Sequence, residues 1–212
     1  MNREVRSLFA VPFVVCPDFL TEENFKTLKN YYTDLNQKDI WQDYDEPSLI
    51  HNIQTKSKKT LDTFPEIKDI FEQDFSFFIK GLYRLGKETD FKIGASWAHK
   101  AIKGSVGSFH THANYFWSGV YYLQNSSTKI RFFKNSVYYD YCFDIREEVN
   151  PFNRGSSDFT PKENCLILFP AYVPHQVEEH KDEENRYSIA MNFTPVGTWG
   201  IHDSTISMSL ND

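Results

Sequence analysis

"FHTHANYFWSGVYYL", residues 109–123, sets two histidines, His110 and His112, one residue apart directly before a run that reads as a β-strand. In extended backbone, side chains at i and i+2 point to the same face, so both imidazoles can converge on one ion, and Asn114 shares that face. The pair alone does not separate a metal site from two histidines that happen to share a face, because the chain contains seven histidines. A third ligand and a substrate anchor are needed further along.

Both occur in "ENCLILFPAYVPHQVEEHKDEENRYSIAMNF", residues 163–193. An apolar strand, 165–169, runs into a turn bracketed by prolines, and His175 opens the next strand as a third candidate ligand. After the polar turn "KDEEN", Arg186 and Ser188 open an alternating strand in which Ser188, Ala190 and Asn192 share a face. A guanidinium aimed into a strand-rich core is costly without a partner, and a bidentate carboxylate is the natural one.

Upstream, "SLFAVPFVVC" reads as an early strand ended by Pro17. "TEENFKTLKNYYTDLN" starts with a capping threonine and an acidic first turn, then places Phe25, Leu28 and Tyr32 at helical spacing. "PEIKDIFEQDFSFFIKGLYRLG" has Pro65 at a first helical position, a stripe through Ile67, Ile70, Phe71, Phe75, Phe78 and Leu82, and Gly86 as a stop. Residues 37–60 read as loop with a short strand, beside a pocket. Then come short strands: "FKIGASWAHKAI", "WSGVYYLQ", "KIRFFKN", "CLILFP", "HQVEEH" and "RYSIAMNFTP". Helices first and strands later predict a mostly β fold, a double-sheet core flanked by helices.

With 212 residues, 40% hydrophobic and 17% aromatic, the chain can build one substantial core, and no repeat or linker divides it. A single domain, 1–212, is expected, with the N-terminal strand and supporting helices in 1–90 and the β-core in 91–200. The net charge of −6 argues against a phosphate backbone as partner. Three cysteines without CxxC spacing, Cys16, Cys142 and Cys165, suit a reducing, cytoplasmic setting. The apolar stretch near the start is short and interrupted by Pro12, so neither a signal peptide nor a membrane anchor is expected.

"HTH" before "SGVYYL", then "LFPAYVPH", then "RYSIAMNF" resemble the core of the iron(II)- and 2-oxoglutarate-dependent oxygenases. The resemblance is to the small, prolyl-hydroxylase-like members with an HxH…SGVYY…LFP…H…RxSxxxN pattern, and the opening "LFAVPF" is similar to theirs. It implies a double-stranded β-helix, a cupin-like jelly roll, over the 91–200 core. It implies Fe(II) held by His110, His112 and His175, which are thereby the catalytic residues. Arg186 and Ser188 match the pair that holds the distal carboxylate of 2-oxoglutarate. Tyr121 and Asn192 are further candidates on that cosubstrate, Tyr121 because one tyrosine of the Tyr121–Tyr122 pair must face inward.

The sequence departs from the superfamily at His112, where most members carry a carboxylate, and no Asp or Glu lies between residues 91 and 139 to replace it. A shifted set, His112, Asn114 and His175 with His110 behind them, is the alternative. Three imidazoles also admit Zn(II) or Mn(II).

The activity implied is hydroxylation of a protein or peptide side chain, or of an amino-acid-like small molecule, with O2 consumed and succinate and CO2 released. A homodimer is compatible with this reading; nucleic acid and membrane are not expected partners. The competing classes are a three-histidine dioxygenase that uses no 2-oxoglutarate and a non-catalytic jelly-roll binding module. For the remaining residues the expectations are plainer. Arg131 reads as a solvated strand arginine, Trp97 and Trp117 as packing aromatics, and His99 as a residue open to substrate. His51, His180 and His202 read as surface residues, and segments 41–59 and 138–160 as lid candidates.

Overall fold

The computed structural model describes residues 10–34, 36, 38–43, 50–86, 88–134, 150 and 154–210, with the backbone alone for 50–52. Of the two lid candidates, residues 44–49, 138–149 and 151–153 lie outside that set, as do Cys142 and the side chain of His51.

Strand β1 (Val14–Cys16) is followed by helix α1 (Glu22–Thr33), whose first turn is capped by the Thr21 hydroxyl accepting from the Asn24 N–H. Strands β2 (Trp41–Asp43) and β3 (Ile50–Thr55) occupy the stretch expected as loop with one short strand. Helix α2 (Pro65–Tyr83) begins with its proline at the first helical position. It stops short of Gly86, because Arg84 takes a left-handed φ of 55° and its N–H closes on the Lys80 carbonyl. The strands that follow are β4 (Thr89–Val106), β5 (Trp117–Tyr122), β6 (Ile130–Phe133), β7 (Ser156–Phe159), β8 (Cys165–Pro170), β9 (His175–Val177), β10 (Arg186–Trp199) and β11 (Ile206–Met208). Strand β7 was not expected from the sequence.

The larger sheet runs β1-β8-β5-β10-β4-β3-β2, with β11 on β10, and the smaller runs β7-β6-β9; every pairing is antiparallel. This is the mostly β, double-sheet jelly roll with flanking helices.

Period-two alternation gives the large sheet two different faces. On β10, Tyr187, Ile189, Met191 and Phe193 join Trp117 and Tyr121 of β5 and Leu166 and Leu168 of β8 in one buried cluster under the helices. There Phe75 of α2 stacks on Phe193 with ring centroids 3.8 Å apart, and Phe71 meets Tyr121 at 5.3 Å. The opposite parity faces the small sheet: Tyr122, Cys165, Ile167 and Phe169 pack with Ile130 and Val173 in a second, smaller cluster. Arg186, Ser188, Ala190 and Asn192 are on this inner side and line a cavity between the sheets. The helices therefore close one face and leave the other free for a ligand.

Candidate metal and cosubstrate site

His110 and His112 lie in the link between β4 and β5, not within a strand. The link is held to the chain segment around β9 by backbone hydrogen bonds. His110 and His175 form an isolated antiparallel bridge, and the His112 N–H donates to the Ala171 carbonyl at 2.9 Å. These contacts bring the ligand nitrogens of His110, His112 and His175 within 4.8 Å of one another. Asn114 is exposed in a turn with φ 67° and is not among the residues lining the cavity between the sheets.

The ring nitrogens are sorted by their neighbours. His110 Nδ1 is 2.9 Å from the Ser108 carbonyl and His175 Nδ1 is 3.0 Å from the Val173 carbonyl. A carbonyl only accepts, so both rings carry their proton on Nδ1 and present an Nε2 lone pair. Burial, then the neighbouring His175, His110 and His99, pushes the His112 pKa down to about 3. Burial, then His110, brings His175 to about 4. Both are thus neutral near pH 7, the form in which imidazole binds a metal. A nitrogen-only set of this kind suits Fe(II), and equally Zn(II).

The cavity measures about 500 Å³ and is lined by all three histidines, by Trp97 and His99 of β4, by Tyr122 and by Arg186, Ser188 and Asn192. No Asp or Glu is among the described residues lining it. Arg186 is 5% exposed, and its Nε has no hydrogen-bond partner among the described residues. A buried guanidinium with an orphaned donor calls for an anion, and Ser188, two residues along on the same face, adds a hydroxyl. The residues present therefore fit both an ion and a dicarboxylate beside it.

Tyr121 does not reach this cavity. It shares the parity of Trp117, lies under the helices and donates its hydroxyl to Asn164 Oδ1 at 2.6 Å. Tyr122 is the inward tyrosine; the Arg186 guanidinium carbon is 5.9 Å from its ring centre. Asn192 lines the cavity, yet its partners are Ser118, whose hydroxyl donates to Asn192 Oδ1 at 2.8 Å, and His112 Nδ1 at 3.4 Å.

Trp97 and His99 both line the cavity, and the Trp97 Nε1–H donates to His99 Nε2 at 2.6 Å. Burial, then Arg186, Lys58 and His110, lowers His99 to about 3. Trp117 packs under α2. Gln54 and Lys58, from the stretch expected beside a pocket, line it, with Lys58 hydrogen-bonded to Gln54 and 5.3 Å from the Trp97 ring centre. His180 is not a surface residue: it is buried, bonded to the Thr128 hydroxyl at 2.8 Å and the Glu184 carbonyl at 2.7 Å. Its environment comes from a β4 contact, Ser105 to His180, that no local pattern announces. Arg131 points away from the cavity and pairs with Asp158 and Glu178.

Residues 95–192 match the family model described as "Putative 2OG-Fe(II) oxygenase". This stretch belongs to the 2OG-Fe(II) oxygenases. The family is one of oxidoreductases that use Fe(II) and 2-oxoglutarate. No curated protein matches the sequence.

Solved structures share the oxygenase fold. A prolyl-4-hydroxylase from Pseudomonas putida is 16% identical with a TM-score of 0.59, over 87% of this chain and 92% of that one. A prolyl hydroxylase from Trichoplax adhaerens, in complex with a hypoxia inducible factor oxygen degradation domain peptide fragment, is 13% identical with a TM-score of 0.59, over 86% and 83%. HygX from Streptomyces hygroscopicus, with nickel, 2-oxoglutarate and hygromycin B bound, is 11% identical with a TM-score of 0.55, over 87% and 83%. At these identities the likeness is one of fold. The oxygenase segment contains all seven predicted site residues, His110, His112, His175, Arg186, Ser188, Tyr121 and Asn192, apart from any role each plays.

Among the described residues, no helix is long and apolar enough to cross a membrane.

Proposed function

We propose that the chain is an Fe(II)- and 2-oxoglutarate-dependent dioxygenase that hydroxylates a protein or peptide side chain, or an amino-acid-like small molecule, with O2 consumed and succinate and CO2 released. The observation that carries this reading is the buried Arg186, its Nε without a hydrogen-bond partner among the described residues, in the wall of the cavity that also holds the three histidines.

His110, His112 and His175 would hold the ion, and iron there supplies oxygen activation coupled to oxidative decarboxylation of 2-oxoglutarate. Arg186 and Ser188 would grip the far carboxylate, the guanidinium giving charge and a planar fork, the hydroxyl a third donor. All three ligands are uncharged imidazoles, so the cosubstrate supplies the anionic groups that balance the metal. Tyr122, Trp97 and Ala190 line the same space and keep water from the reacting atoms.

The substrate class draws support from the cavity size, which suits a small organic group beside the cosubstrate, and from neighbours crystallised with a peptide fragment and with hygromycin B. A histidine-only ligand set also favours a second reading, a dioxygenase whose substrate binds the iron directly without 2-oxoglutarate.

The two are separated by anaerobic titration with Fe(II) and then 2-oxoglutarate, following the visible metal-to-ligand charge-transfer band in wild type and Arg186→Ala. A band that needs both additions and weakens in the variant supports the proposal. Iron binding without a band favours the second reading, and no iron binding returns the histidines to a purely structural role.

A further inference from the structure

The three histidines are not held alike. Behind His110 and His175 stand backbone carbonyls, which can only accept. Behind His112 stands the side-chain amide of Asn192, with its Nδ2 3.4 Å from His112 Nδ1 and its Oδ1 occupied by the Ser118 hydroxyl at 2.8 Å. Asn192 and Ser118 are both buried, 3% and 2% exposed, so water does not compete for these groups.

In this arrangement the amide donates, His112 Nδ1 accepts, and the neutral ring carries its proton on Nε2. That is the nitrogen its two companions leave open. An ion entering through Nε2 requires the proton to sit on Nδ1, and Nδ1–H then needs an acceptor. Rotating the Asn192 amide by half a turn provides one: Oδ1 accepts from His112 Nδ1–H while Nδ2 donates to Ser118 Oγ. A hydroxyl can donate or accept, so the rotated pair has as many hydrogen bonds as before.

We propose that Ser118 and Asn192 form a rotatable amide–hydroxyl pair that sets the tautomer of His112 and turns over when a metal binds. Asn192 is then a positioning residue acting through His112 and not a direct contact of the cosubstrate. This inference rests on the reading of His110, His112 and His175 as ligands. It also assigns a place to the polarity that a carboxylate ligand would otherwise bring: the acceptor stands behind the His112 ring, at Nδ1.

The test uses the full chain labelled with 15N, Zn(II) as a redox-inert probe, long-range imidazole 1H–15N spectra and Zn(II) affinity by competition with a chromophoric chelator. In the apo wild type, His110 and His175 are expected as Nδ1–H tautomers and His112 as Nε2–H; with Zn(II), His112 changes to Nδ1–H. Asn192→Asp, which only accepts, is expected to show His112 Nδ1–H before metal is added and to bind Zn(II) about 10-fold more tightly. Asn192→Leu is expected to bind about 10- to 100-fold more weakly. The unchanged His110 and His175 tautomers in each variant report an intact site.

Apo wild type with His112 already Nδ1–H, or an Asn192→Leu variant within about twofold of wild type, overturns the inference and leaves the metal site standing. Wild type that binds no Zn(II) and no Fe(II) overturns the metal site itself, and this inference with it. The wild-type spectra need no substitution, so they decide the matter even if a variant fails to fold.

Discussion

His110 and His175 each donate a backbone hydrogen bond to the other's carbonyl at 3.0 Å, which makes two of the three imidazoles neighbours across an isolated antiparallel bridge, with ring centroids 4.3 Å apart. Their convergence is thus built into the backbone and does not wait for an ion. The link reaches β9 at Gly107, where a Cβ would stand 3.0 Å from Val177 Cβ and 3.1 Å from its backbone nitrogen. Gly107→Val should push the link off β9, weaken metal binding and cost about 1–3 kcal/mol of stability. Thermal melts and metal titration of the variant check both effects.

Arg186→Met should move stability and ligand affinity in opposite directions. A buried guanidinium whose Nε has no hydrogen-bond partner among the described residues is a cost in the ligand-free chain, so a methionine of similar volume should stabilise that form by about 1–4 kcal/mol. The same change should weaken 2-oxoglutarate binding by about 2–5 kcal/mol, since the far carboxylate loses its partner. Denaturant unfolding without ligand and calorimetric titration with metal present measure the two halves. A variant destabilised in the apo form would show that Arg186 is already satisfied.

Acid should loosen the apo-protein well above the carboxylate range. His99, His112 and His175 have folded pKa values of about 3, 3 and 4, below the ordinary imidazole value, so the unfolded chain binds more protons as pH falls. Their contribution is fully present above the unfolded value of about 6.5 and is lost progressively below it, down to the folded values, at up to about 1.4 kcal/mol per pH unit for each group. Unfolding free energy followed from pH 7.5 to 4.5 should fall with this slope. Saturating Zn(II) should raise the curve and leave the slope these three groups contribute in this range unchanged, because they are proton-free in the folded chain with or without the ion.

The two adjacent tyrosines should behave as opposites. Tyr121→Phe removes the hydrogen bond to Asn164, which still accepts from the Leu20 N–H at 3.0 Å, so a loss of about 1 kcal/mol in stability is expected with cosubstrate affinity unchanged. Tyr122→Leu alters the ring beside Arg186 and should change 2-oxoglutarate affinity severalfold. Side-by-side titrations and melts of the two variants distinguish them.

The convergence of His110, His112 and His175 was legible because each stands beside a strand boundary marked by turn residues, and because Arg186 and Ser188 follow at fixed spacing. The helices were legible from the Thr21 cap and Pro65. What stayed hidden were relations between strands. Parity along "WSGVYY" shows that Tyr121 and Tyr122 face opposite ways, but the pairing of Tyr122 with Ser188 decides which one meets the cavity. His180 looked like part of a solvated turn because its partners, Thr128 and Ser105, lie far away along the chain. Lys58 and Gln54 were expected only as residues near a pocket, since β3 and the turn after it reach the cavity by pairing with β4.

Strand β10 carries hydrophobic packing on its odd-numbered residues and the ligand cavity on its even-numbered ones from Arg186 to Asn192. Chemistry and cohesion are therefore interleaved along one segment without sharing a side chain. Substitutions at the odd positions should register in expression level and melting temperature, and those at the even positions in what the protein binds. A library that randomises only Ala190 and its inward neighbours on β4 can thus search for new substrates while the helix-facing interior is inherited unchanged.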